Sequence, residues 1–143
     1  ASEGIVARSM AAEDIVRLLQ WEHTHVCSDG GLDGPHPRGV GTFTRVLARH
    51  VRETAALGRE EAVHKMTALS AAHVGLVDRG TISAGSYADL VLFDPGTVAD
   101  RATFDEPHEL SVGIVGVWVN GTRVWADAAP TGAFPGRGLE RGM

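Results

Sequence analysis

The chain has 143 residues, 43% of them hydrophobic, and a net charge of -5 with both signs interspersed. That length suits one ordinary domain of roughly 100 to 150 residues, and the charge pattern offers neither a basic face for nucleic acid nor a polybasic membrane patch. The single Cys27 excludes an internal disulfide, no apolar run approaches the roughly 18 residues of a spanning helix, and no signal-like segment opens the chain. A cytoplasmic protein is the expectation. The start at Ala1-Ser2-Glu3, without Met, adds the expectation of a fragment.

In chain order, Ser9 is placed to cap a helix whose apolar positions Ala11, Ile15, Leu18 and Leu19 share one face, with Glu13 and Asp14 in its early turns. Val26-Cys27 then reads as a short buried strand, so helix followed by strand suggests the tail of an α/β unit. Phe43, Val46, Leu47, His50 and Val51 repeat at helical spacing, and Gly58 stands where a left-handed residue stops a helix. Glu60 and Glu61 open a third run carrying Ala62, Val63, Met66 and Leu69, and Ser70 is placed to cap a last short turn ending at Gly75. From Val77 to Asp94 glycines punctuate short apolar runs that predict strands, closed by Pro95-Gly96. Asn120-Gly121 between two apolar runs predicts a β-hairpin, because both central residues of a type I′ turn need positive φ. An irregular tail is expected from Pro130 onward.

Asp29 is the first candidate for chemistry. It stands between Ser28 and Gly30 at the end of the expected strand, where a carboxylate projecting into a cleft can bind a cation or hold a proton; a plain turn-forming aspartate is the alternative. Arg38, at the end of the glycine-rich loop, suits bidentate capture of a substrate carboxylate. A solvated surface arginine is its alternative. His36 between two prolines is a candidate for orienting the site. His23-Thr24-His25 has the His-x-His spacing of a metal pair but lacks further ligands nearby, and Cys27 reads as a small buried apolar residue. His50, His64, His73 and His108 read as helix-face or surface residues, and Trp118 and Trp125 as core or interface.

Several stretches together resemble the C-terminal third of the N-acyl-D-amino-acid deacylases (D-aminoacylases), in the metal-dependent amidohydrolase superfamily. They are Ser28-Asp29-Gly30, Pro35-His36-Pro37-Arg38, Gly41-Thr42-Phe43, Glu61 to Thr67, Gly80-Thr81-Ile82 with Gly85, Ala88 to Val91, and Val119-Asn120-Gly121. The series from Gly80 to Asp94 is general to the superfamily, whereas Pro35 to Arg38 together with Asp94-Pro95, Ala102-Thr103-Phe104 and Thr131-Gly132 resembles the D-aminoacylase branch in particular.

This resemblance implies an α/β fold: residues 1–76 as the last strand and flanking helices of a TIM-like barrel, residues 77–143 as part of a small β-sandwich and a tail. It implies zinc as cofactor, Asp29 as metal contact and as the base and acid of amide hydrolysis, and Arg38 on the substrate's α-carboxylate. The family's other metal ligands belong to upstream segments that this sequence lacks. The chain alone is therefore expected to be inactive, with a complementary upstream chain or an oligomer covering its open strand edges. Two alternatives stand beside this reading: an amidohydrolase acting on a cyclic amide or imide, and a non-catalytic module derived from the superfamily.

Overall fold

The structure, a computed structural model, describes residues 9–31 and 34–142. Leu32 and Asp33 of the glycine-rich loop, the first eight residues and Met143 lie outside the described residues. Helices come first and a small antiparallel sheet follows, so the expectation of helical and β portions in that order holds at this coarse level.

Helix α1 covers Ala12–Gln20 and turns Ile15 and Leu19 toward the core, while Leu18 stays exposed. Its N-cap is Ala11, with no side-chain cap; Ser9 lies two residues too early to reach the first free amides, and Glu13 and Asp14 supply the favourable negative charge. The strand expected at Val26-Cys27 is absent: residues 24–31 carry no strand, and Cys27 is exposed. Val26 instead donates its N–H to the Lys65 carbonyl at 3.1 Å and packs on the core.

Helix α2, Arg38–Arg45, runs straight into a π-helix over Val46–Glu53 that buries Val46, Leu47 and Ala48. The 3.6-residue pattern anticipated one helix here; the wider i→i+5 winding over its second half is not visible in that pattern. The helix ends at Thr54, followed by Ala55 in the left-handed region at φ 49°. Gly58, expected as the stop, is extended and forms the N-cap of α3, Arg59–Met66. Thr67, at φ -128° and ψ -91°, divides α3 from α4, Ala68–Val74, so the break falls before Leu69 and not at Ser70, while the second piece ends at Gly75 as expected. Ser70 lies inside α4 and donates its hydroxyl to the Lys65 carbonyl at 2.8 Å.

Leu19, Val46, Leu57 and Ala62 form the helical core, with Ile15, Val26, Val51 and Met66 packed against it. Burying the Leu19, Val46 and Leu57 side chains contributes roughly 1.5 to 3 kcal/mol each relative to leaving them in water.

The sheet has strand order β1-β2-β3-β4, all neighbours antiparallel: β1 Leu90–Phe93, β2 Ile114–Val119, β3 Thr122–Ala126 and β4 Ala129–Pro130. Asn120 and Gly121 take φ 48° and 80° and pair Val119 with Thr122, the expected hairpin. The expected strands before Leu90 are absent. Residues 78–89 instead loop back, with the Tyr87 N–H on the Asp78 carbonyl at 2.9 Å. A polar hub explains the preference: the buried Arg79 guanidinium donates to Asp89 and to Asn120 Oδ1 and lies over the Tyr87 ring. Asn120 in turn donates its backbone N–H to Asp89 Oδ1 at 2.7 Å and its amide Nδ2 to the Pro135 carbonyl at 2.8 Å. The tail is thereby tied to the hairpin; Pro130 pairs with Trp125 in β4, and residues 131–142 follow without helix or strand, as expected.

Helical and β portions touch through polar contacts. Arg52 donates to the Val98 carbonyl at 2.6 Å, Arg45 pairs with Asp100 at 2.9 Å, and the Thr44 and Ser111 hydroxyls lie 2.7 Å apart. On β1, Val91 and Leu92 are each more than half exposed. Among the described residues no helix is long and apolar enough to cross a membrane.

Candidate active site

Asp29 sits at φ 45°, a left-handed conformation that aspartate tolerates better than most side chains. The kink turns the chain so that Gly30 packs backbone-to-backbone on Gly39 in the first turn of α2: a Cβ on Gly30 would lie 2.5 Å from Gly39 Cα. This contact brings the two ends of the glycine-rich loop together. Arg38 Nη1 reaches Asp29 Oδ2 at 3.1 Å, across side chains that are 46% and 80% exposed.

His36 Nδ1 accepts the Arg38 backbone N–H at 3.1 Å, and its ring stands edge-on to Phe104 with centroids 5.1 Å apart. An accepting Nδ1 leaves the proton of a neutral imidazole on Nε2. Thr42 adds a hydroxyl bond to the Arg38 carbonyl at 2.9 Å. Asp29, His36 and Arg38 line one cleft of about 790 Å³ together with Arg45, Asp100 and Phe104. The three residues singled out around the glycine-rich loop are thus neighbours in space.

The other candidates are elsewhere. The His25 ring lies 4.5 Å from that of His73, and His23 stands against Trp21, so the His-x-His pair faces two different neighbours. His64, His73 and His108 are exposed, as expected of surface residues. His50 is half-buried on the π-helix with its Nδ1 buried and unpartnered among the described residues. Burial, and then the charges of Arg49 and Arg45, hold its pKa below the ordinary histidine value.

Among the described residues no three His, Cys, Asp or Glu side chains converge on a possible metal position. Asp29 fits the part of one oxygen ligand, since an accessible carboxylate is a normal zinc donor. It cannot hold the ion by itself.

On the cleft's far wall, Phe104 belongs to a stretch that resembles the family, whereas nothing in the sequence singles out Asp100. Asp100 and Phe104 come from the β portion, and no local pattern links them to Asp29. Lys65 is a different omission: its side chain is 2% exposed, and it holds the segment leading to Asp29. A signal for it was present, because Lys65 stands between Ala62 and Met66 on what is otherwise an apolar face.

A helical segment carries the Asp29–Arg38 pair at a loop cleft and is joined to a small antiparallel sheet. Residues 16–125 match the model of the amidohydrolase family, and the chain belongs to that family. It is 47% identical to a D-aminoacylase of Alcaligenes xylosoxydans xylosoxydans over 96% of its own length, and 49% identical to an N-acyl-D-aspartate deacylase of the same organism over 99%. The chain spans about 29% of the length of these relatives. A solved D-aminoacylase, described as defining a novel subset of amidohydrolases, superposes with a TM-score of 0.83 at 48% identity over 87% of this chain and 27% of that one. An N-acyl-D-glutamate deacylase from Bordetella bronchiseptica, in complex with zinc and a phosphonate mimic of the tetrahedral intermediate, gives 0.79 at 48% identity over 82% of this chain and 25% of its own. Another D-aminoacylase structure concerns the functional role of a binuclear metal centre.

Proposed function

We propose that this chain is the acid–base and carboxylate-binding portion of a zinc-dependent hydrolase that cleaves N-acyl-D-amino acids to a carboxylate and a D-amino acid. The observation that carries this reading is the Asp29–Arg38 pair at 3.1 Å in an open cleft, within a sequence nearly half identical to D-aminoacylases. Residues 1–76 would supply the end of a TIM-like barrel with its flanking helices, residues 24–31 pairing as its last strand only beside upstream strands, and residues 77–143 part of a β-sandwich. The exposed edge strand β1, with Val91 and Leu92 open to solvent, supports a complementary upstream chain or an oligomer as partner, since such edges are normally covered. A cytoplasmic location agrees with the single cysteine.

Asp29 would contribute one metal ligand, and zinc when bound supplies carbonyl polarisation and a water whose pKa is lowered to about 7. Arg38 binds the α-carboxylate of the substrate and fixes the amide beside Asp29. A carboxylate arriving at Arg38 competes with Asp29 for one guanidinium, which frees Asp29 to move a proton. Asp29 then takes the proton of the attacking water and returns it to the leaving nitrogen. His36 and Thr42 keep the Arg38 backbone in place for this exchange.

The test is a chimera in which this chain replaces the matching segment of the Alcaligenes D-aminoacylase. Zinc-dependent hydrolysis of N-acetyl-D-amino acids by the chimera, with none by the chain alone, is the expected result. A folded, zinc-loaded chimera without turnover would overturn the reading.

A further inference from the structure

Lysine is almost never fully buried unless its charge is paired, yet Lys65 is 1% exposed in the last turn of α3. Its Nζ donates to the Trp21 carbonyl at 2.6 Å and to the Thr24 carbonyl at 3.2 Å, with Glu61 Oε1 at 3.7 Å. Its own carbonyl, one that a helix end leaves free, accepts the Val26 N–H at 3.1 Å and the Ser70 hydroxyl at 2.8 Å. Side chain and backbone of one residue thus grip the chain at Trp21, Thr24 and Val26. Among the described residues this stretch has no ladder partner. Three residues beyond Val26 stands Asp29.

We infer that Lys65 is the positioning residue of Asp29: it fixes the 21–26 segment against the end of α3 and so sets where the carboxylate stands in the cleft. The inference rests on the reading of Asp29 as the acid–base residue. Lys65 touches no reacting group and acts only through the backbone it holds. If volume alone mattered, methionine would serve equally well, because its unbranched chain fills nearly the same space. Methionine has no donor for the Trp21 and Thr24 carbonyls, so the segment would be packed but not held. Displacements of about 1 Å at a catalytic group lower rates by about 100-fold.

The experiment uses the chimera, with turnover expressed per zinc-loaded molecule so that unfolded protein does not count. Lys65→Met is expected to lower kcat by about 10- to 100-fold while KM stays within about threefold, and to speed amide exchange over residues 21–29 by about tenfold or more. Lys65→Arg, which keeps a buried donor, is expected to fall between this variant and the parent. A folded Lys65→Met enzyme with kcat within about twofold of the parent and unchanged exchange overturns the inference. If Lys65→Met does not fold, Lys65→Arg decides: a kcat loss of about threefold or more at unchanged KM supports positioning, and parental kcat overturns it. Asp29→Asn is measured alongside. Parental turnover in that variant overturns the acid–base reading and the catalytic half of this inference with it, whereas exchange over residues 21–29 decides the grip of Lys65 independently.

Discussion

Gly30 and Gly39 lie backbone on backbone, and this contact, not the aspartate or the arginine itself, sets the distance between Asp29 and Arg38. A Cβ on Gly30 would also come within 2.8 Å of the Gly39 nitrogen, and one on Gly39 within 2.7 Å of the Gly31 carbonyl oxygen. These are backbone neighbours that cannot swing aside. Gly30→Ala is therefore expected to force the loop open and lower kcat/KM of the reconstituted enzyme by about 100-fold. Steady-state kinetics on the chimera check this, with Gly58→Ala as a control, since nothing lies within 4 Å of a Cβ there.

Asp29→Asn should lower kcat by several orders of magnitude, about 10²- to 10⁴-fold for the loss of a general acid–base group, with the thermal midpoint nearly unchanged. The midpoint holds because the carboxylate is 80% exposed and its pairing with Arg38 is a surface ion pair worth about 0 to 1 kcal/mol. A loss below tenfold at full zinc loading would remove Asp29 from the chemistry.

Arg38→Ala should act chiefly on the Michaelis constant for substrates with a free α-carboxylate. A lost charge-assisted bidentate contact corresponds to about 10- to 100-fold in KM, from roughly 1.5 to 3 kcal/mol. Substrates with an amidated carboxyl should not distinguish the variant from the parent. Equal losses on both would assign Arg38 to the fold instead.

The helices and the hairpin were legible because their causes are local. Periodic apolar residues placed α1 and the α2 segment, and Asn120-Gly121 carries its turn geometry in two adjacent residues. What failed was set by distant neighbours. Val26-Cys27 has the composition of a strand, but Val26 spends its N–H on Lys65. The run from Glu60 to Leu69 is broken at Thr67, whose hydroxyl donates back to the Val63 carbonyl at 2.7 Å. In the cleft, Asp29, His36 and Arg38 were readable as one loop, whereas Asp100 and Phe104 arrive from the other end of the chain. Only folding makes them neighbours.

His50 gives the protein a one-sided pH response. Its folded pKa lies below the ordinary value of 6.5, by burial first and the Arg49 and Arg45 charges next; Arg17 and Glu13 of α1 share the same cavity. As pH falls through about 6.5 the unfolded chain takes up a proton that the folded protein resists, so stability declines until the lower folded pKa is reached. Above that window His50 has no effect. His50→Asn should flatten the fall in urea midpoint between pH 7.5 and 5.5, and an unchanged slope would place the dependence on another group.

Asn-Gly pairs are also the sites where proteins age chemically, when the glycine nitrogen attacks the asparagine amide and ammonia is lost. In the folded chain that nitrogen is occupied, because Gly121 donates its N–H to the Ala88 carbonyl at 3.0 Å, and the amide under attack is held between Arg79 and Pro135. The turn that the sequence needs for its hairpin is thus shielded from its own reactivity while Ala88, Arg79 and the tail's Pro135 hold these atoms. Deamidation at Asn120 would remove the Nδ2 donor and release Pro135, so the damage would unlatch one of the contacts that had restrained it.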